Sequence, residues 1–142
     1  MKKILLMSIK TKYANQIFKG TKKYEYRRRS IKEGNLNKKI FIYSSEIDKK
    51  IVGYIIVDEI LEGTSEYILK RTNNEGNIDI INYFKDCENC YALKIKEAVL
   101  LQKAISLKEL KEKDSNFTVP QYYRYIKETE PLYKILKEEN HI

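Results

Sequence analysis

The residues best suited to chemistry crowd into one short segment. From Gly20 to Arg29 the chain reads GTKKYEYRRR, with two lysines, three arginines, two tyrosines and one glutamate after the glycine. Arg27 has the planar fork that holds a phosphate or carboxylate by two hydrogen bonds. Lys22 or Lys23 offers a point charge, or a base when desolvated. Glu25 can accept from a nucleobase amine or hold a lysine in place, whereas a simple phosphate grip would omit it. The competing structural reading pairs Glu25 with Lys23 or Arg27 on a solvated face, where such pairs contribute about 0–1 kcal/mol.

A second cluster lies in FTVPQYYRYI, Phe117 to Ile126. Tyr122, Tyr123 and Tyr125 surround Arg124, with Gln121 beside them. Aromatic faces stack on unpaired bases, and an amide reads a base edge. The plainer alternative is a loop laying its aromatics on the core. Cys87 and Cys90 form a C-x-x-C, but the chain has no other cysteine and one histidine, His141. A closed zinc site needs four ligands, so reduced structural thiols are expected, and no metal or cofactor. Neither G-x-G-x-x-G nor a P-loop is present.

These residues need a frame. The 142 residues fit one domain spanning 1–142 and can bury a core. Net charge is +8, and residues 1–30 carry ten Lys and Arg against the single acid Glu25. The remaining 112 residues hold 18 basic and 19 acidic side chains. A local field of one sign attracts polyanions, which points to an anionic partner. No apolar run approaches the roughly 20 residues of a membrane span. The opening MKKILLMSIK has too short an apolar stretch for a secretion signal, so a cytoplasmic location without membrane contact is expected.

Ile4–Ile9 reads as a buried strand, and Thr11–Gly20 as a helix with Tyr13, Ala14, Ile17 and Phe18 on one face. Gly20 stands where a left-handed residue would end that helix. From Lys23 the period becomes two, setting Tyr24 and Tyr26 against Lys23, Glu25 and Arg27. Lys39–Ser44, Lys50–Leu61 and Cys90–Leu101 read as further strands, and Gly53 marks a bulge or a close backbone approach. Asn77 caps a helix with Ile80, Ile81 and Phe84 on one face. Ser106 and Glu109 form a capping box. Thr129 is the expected cap before Pro131 of a last helix. The mixture fits an α+β fold, a small curled, mostly antiparallel β-barrel with helices on its rim.

SIKTKYANQIFKGTKKYEYRRR resembles the opening of ASCH domains, members of the PUA-like superfamily. Ser8, Ile9, Lys10, Tyr13, Ala14, Ile17, Gly20, Lys22, Lys23, Glu25 and Arg27 match the pattern S-I-K, Y-A-x-x-I, G, K-K-x-E-x-R. IFIYSS, KKIVGYIIVDEI and INYFKDCENCYALKI resemble later strands of the family, and VPQYYRYI resembles a segment of a phage-associated, transcription-related subgroup. The resemblance covers most of the chain. It implies a PUA-like barrel whose cleft faces the K-x-x-E-x-R strand, and is similar to domains that bind RNA or modified bases. Some small members hydrolyse an acetylated cytidine with a lysine, a threonine and a glutamate; ribonuclease activity also occurs. By position the lysine falls on Lys22, while the threonine position falls on Glu25, which removes that nucleophile; Thr21 is out of register. Thr11 and Val119 stand where the family often has proline.

Two principal readings follow. The first is a binding module for single-stranded RNA or a modified nucleotide, in RNA metabolism or transcription-related regulation. Ser8, Lys10, Lys22 and Arg27 meet polar or phosphate groups, Glu25 a base donor, and Gln121, Tyr123 and Arg124 close the other side. The alternative is a hydrolase on a modified nucleoside or RNA, with Lys22 as base and Glu25 as partner or acid. A protein-interaction adaptor that kept the fold and lost the site is a third option. Oligomeric state is not legible.

Overall fold

The structure is a computed structural model that describes residues 2–142. Twelve elements follow in order: β1 (Lys3–Lys10), α1 (Thr11–Phe18), β2 (Tyr24–Arg27), a 3-10 turn (Glu33–Asn35), β3 (Lys39–Ser45), β4 (Lys50–Gly63), α2 (Ser65–Arg71), α3 (Ile78–Tyr83), β5 (Cys90–Ser106), α4 (Leu107–Lys113), β6 (Tyr123–Lys127) and α5 (Pro131–Glu138). The strands form one six-stranded sheet in the order β2-β5-β4-β3-β1-β6. Only β1 and β3 run parallel. The other four pairings are antiparallel, in line with the mixed α+β expectation.

β1 lies between β3 and the edge strand β6 and is covered on both faces, which explains its unbroken apolar run. Leu5, Met7 and Ile9 pack with Ala14 and Ile17 of α1 on one side. Leu6 packs on the other with Phe41, Leu110 of α4 and Leu132 and Leu136 of α5. A third cluster joins Tyr26, Ile68 of α2, Phe84 and Ala92 at the β2 end. Gly53 serves both expected purposes. The β3–β4 and β4–β5 registers shift beside it, and the Val99 carbonyl lies where a side chain would begin.

The sheet does not close into the expected barrel. β2 and β6 are its two edges, and no ladder joins them. β2 has four residues, and β6 stops pairing with β1 at Met7–Tyr123, so Ser8 lies beyond the ladder. Side chains bridge the gap instead. Arg27 Nη2 donates to the Ser8 carbonyl at 2.7 Å, and the Tyr123 hydroxyl donates to the Ser30 carbonyl at 3.3 Å.

Helix ends follow the local sequence with one exception. Gly20 takes φ 81° after α1. The Asn77 side chain accepts from Ile80 N at 3.2 Å, and Ser106 accepts from Glu109 N at 3.1 Å. The cap of α5 is Glu130 rather than Thr129. Its carboxylate accepts from Lys127 N and from Arg124 Nη1, which fixes the turn leading into Pro131. None of the described helices is long and apolar enough to cross a membrane.

Candidate functional site

A cavity of about 540 Å³ opens at the gap between the sheet edges. That is the size range of small-molecule sites. Its floor comes from the end of β1, with Ser8, Ile9 and Lys10; β2 supplies Glu25, Tyr26 and Arg27. Tyr13 of α1, Lys22, α3 and the segment with Gln121 and Tyr122 complete the wall.

Backbone geometry explains why these residues meet. The amides of Thr21 and Lys22 both donate to the Gln16 carbonyl, which folds the chain back after Gly20. Lys22 thereby turns inward while Lys23 is exposed. β2 starts at Tyr24, so Lys23 does not share the Glu25–Arg27 face. On the other wall, the Ser8 hydroxyl donates to the Pro120 carbonyl at 2.7 Å and Ser8 N donates to the Tyr122 carbonyl. Those bonds hold Gln121 and Tyr122 at the rim. Thr11 ties the neighbouring β3–β4 turn. Its hydroxyl donates to the Ser45 carbonyl and accepts from Ile47 N and Asp48 N.

The chemical centre is a buried cation–anion–cation triad. Glu25 Oε2 lies 3.0 Å from Arg27 Nε, and Oε1 lies 3.8 Å from Lys22 Nζ. The three side chains are 9%, 10% and 13% exposed respectively, so solvent screens the charges little. The Arg27 Nε–H is not aimed at the carboxylate and makes no hydrogen bond, so that close contact is ionic. Lys22 Nζ also sits over the rings of Tyr26, at 4.6 Å, and Tyr13, at 5.4 Å. Burial is the main force lowering the Lys22 pKa; Glu25 opposes it and Arg27 adds to it. Two cations against one carboxylate leave an excess positive charge inside the wall, suited to an anionic group.

The outer wall is α3, which carries Asp79, Ile80, Asn82 and Tyr83 to the cavity. Arg28 anchors its end by donating to the carbonyls of Tyr83, at 2.7 Å, and Lys85, at 3.0 Å. The Tyr83 phenol is pushed above its ordinary pKa, first by burial, and keeps its proton as a donor. Lys12 pairs with Asp79 across the mouth at 3.5 Å. Lys10 pairs with Glu46 at 3.6 Å, and both of these ion pairs are largely solvated.

No family model matches the chain. A curated relative, an ASCH domain-containing ribonuclease from Zymomonas mobilis, is 26% identical over 132 residues, covering 91% of this chain and 88% of the relative. The crystal structure of ASCH from Zymomonas mobilis superposes with a TM-score of 0.79 at 25% identity, covering 92% of each chain. Over nearly its whole length the chain is similar to ASCH-domain proteins. The fold is also similar to that of the human THYN1 protein, solved in complex with 5-methylcytosine-containing DNA, at a TM-score of 0.53 and 14% identity. That likeness concerns the fold alone.

Six of the residues singled out in the sequence line one cavity: Ser8, Lys10, Lys22, Glu25, Arg27 and Gln121. Two do not. Tyr123 faces a neighbouring groove, and Tyr122 takes the expected place at the cavity rim. Arg124 lies away from both; it donates to the Thr118 carbonyl and to Glu130, and its guanidinium rests over Phe117. The alternation of β6 aims successive side chains to opposite faces, which sends Arg124 away from Tyr123. Tyr13, Tyr26 and the α3 residues were missed as site residues. Tyr13 and Tyr26 read as core positions, and nothing local to α3 signals that it packs across the mouth. The two cysteines are free thiols. Burial, with Cys87 nearby, pushes the Cys90 thiol up to about 11. No group of three or more His, Cys, Asp or Glu suited to a metal occurs among the described residues.

Proposed function

We propose that this protein, one domain over residues 1–142, binds single-stranded RNA by seating an unpaired nucleotide in the cavity. Its place would be in RNA metabolism or transcription-related regulation. The observation that carries the reading is Glu25 buried between Lys22 and Arg27 in a cavity wall. The carboxylate accepts from an exocyclic amine, and the flanking cations favour the phosphate that arrives with the base. Tyr13, Tyr26 and Tyr83 offer aromatic surface, and Gln121 offers an amide to a base edge. The strongly basic first 30 residues supply the attraction for a polyanion.

Fluorescence anisotropy with a labelled eight-nucleotide RNA tests the reading. Binding should weaken as salt rises, and Arg27→Ala should weaken it at least tenfold. Absence of binding at low salt, or indifference to Arg27→Ala, would refute it.

A second reading is cleavage of the bound RNA. Two observations favour it: the lowered pKa of Lys22, and the ribonuclease description of the Zymomonas relative. In this reading neutral Lys22 removes the 2′-hydroxyl proton, with Glu25 holding the amine in place. The 2′-oxygen bonds to phosphorus while the bond to the 5′-oxygen breaks. Arg27 stabilises the added negative charge, and water protonates the departing 5′-oxygen. The products are a 2′,3′-cyclic phosphate and a 5′-hydroxyl end. Lys22→Ala should abolish cleavage while RNA is still bound. Intact RNA after prolonged incubation with the wild type would leave binding alone.

A further inference from the structure

A second groove, of about 220 Å³, adjoins the cavity, and Arg27, Tyr83 and Tyr122 line both. Arg28, Arg29 and Tyr123 line only the groove. Its walls therefore carry three consecutive arginines and three tyrosines. Among the described residues, neither Arg28 nor Arg29 has a carboxylate within ion-pair distance; Arg27 pairs with Glu25. The Arg29 guanidinium lies 4.9 Å from the centre of the Tyr122 ring. Such an arginine–aromatic platform suits a stacked base; the Arg29 guanidinium, without a carboxylate partner, suits its phosphate, and Arg28, held by the Tyr83 and Lys85 carbonyls, adds charge beside it.

We propose that the groove is a second nucleotide subsite, so that the ligand is a strand of at least two nucleotides rather than a free nucleoside. This rests on the reading of the cavity as an RNA site and specifies its substrate class. One base occupies the cavity, and its neighbour stacks beside Tyr122 and Tyr123. The linking phosphate passes over the shared wall at Arg27. A free nucleoside would fill the cavity and leave the charge of Arg29 unused. A strand satisfies both volumes with one continuous backbone, because the two spaces share a wall. The shape of the charge supports this choice. Within the Arg27–Arg29 run the cations pass from a buried, paired residue to an exposed one, which follows a backbone leaving a pocket toward solvent.

Competition against a labelled eight-nucleotide RNA tests the subsite. Unlabelled mononucleotide, dinucleotide and trinucleotide displace the label from wild type, Arg29→Ala and Lys103→Ala proteins. Lys103 is exposed and lines neither space, so it controls for the loss of one charge. The dinucleotide should compete at least tenfold better than the mononucleotide. Arg29→Ala should remove most of that gain without changing mononucleotide competition, and Lys103→Ala should preserve the gain. Equal competition by mononucleotide and dinucleotide, or a gain unaffected by Arg29→Ala, overturns the subsite while leaving the cavity reading intact. Failure of the labelled RNA to bind at all overturns both. Equal competition by deoxyribose dinucleotides would keep the two-nucleotide subsite and overturn the restriction to RNA.

Discussion

Glu25 Oε2 lies 3.0 Å from Arg27 Nε across one turn of the β2 pleat, with both side chains about nine-tenths buried. Residues two apart on a strand share a face, and Lys22 reaches the same carboxylate from the turn before it. The carboxylate therefore holds together two cations that would otherwise repel.

Replacing Glu25 removes this compensation. Glu25→Gln keeps the shape and leaves Lys22 and Arg27 facing each other in a poorly solvated wall. Breaking one side of a buried pair costs about 3–5 kcal/mol, and a loss of that order is expected in urea unfolding. Adding Lys22→Met to Glu25→Gln should recover part of the loss, because one of the repelling charges goes. Purely additive losses would contradict the coupling.

Lys22 gives stability a pH dependence of known sign. Its native pKa is below the ordinary 10.5, chiefly through burial. The unfolded chain therefore binds this proton more tightly than the native one. The resulting cost is fully present when both states are charged, and it is relieved as pH rises through the native pKa toward 10.5. Wild type should gain stability relative to Lys22→Met across that alkaline window, with a flat difference below it. Urea unfolding of both proteins over a pH series measures this; a difference that falls with rising pH would contradict it.

Gly53 sets how closely β4 and β5 approach. A β-carbon there would lie 2.3 Å from the Val99 carbonyl oxygen and 2.7 Å from Phe18 Cε1. Backbone cannot yield as a flexible side chain can, so Gly53→Ala should cost about 1–3 kcal/mol. Unchanged unfolding of that variant would show that the sheet relaxes freely at the bulge.

Much of this was legible where local rules and tertiary needs agree. The apolar run of β1, Gly20 after α1, the Asn77 cap and the Ser106 cap all act within a few residues of themselves. What was not legible depends on distant partners. α2 has only Ile68 and Leu69 buried, too weak a pattern to stand out. β6 alternates as YRYIK, yet its tyrosines and arginine read as a binding loop, and its place beside β1 is set by a non-local ladder. Ile81 shares the expected apolar face of α3 but is exposed, because that helix borders the cavity and buries no residue fully. Barrel closure failed for a similar reason: it depended on β2 and β6 meeting, and the cavity opens at the gap between them.

The central claim is that the cavity holds an unpaired nucleotide of RNA. Backbone amide shifts of isotope-labelled protein, recorded while a short single-stranded RNA is added, test it most directly. The account predicts saturable shifts concentrated at Ser8–Lys10, Lys22–Arg27 and Gln121–Tyr122, and their loss in Arg27→Ala. Shifts confined to the α4 and α5 face, or none at saturating RNA, would contradict it.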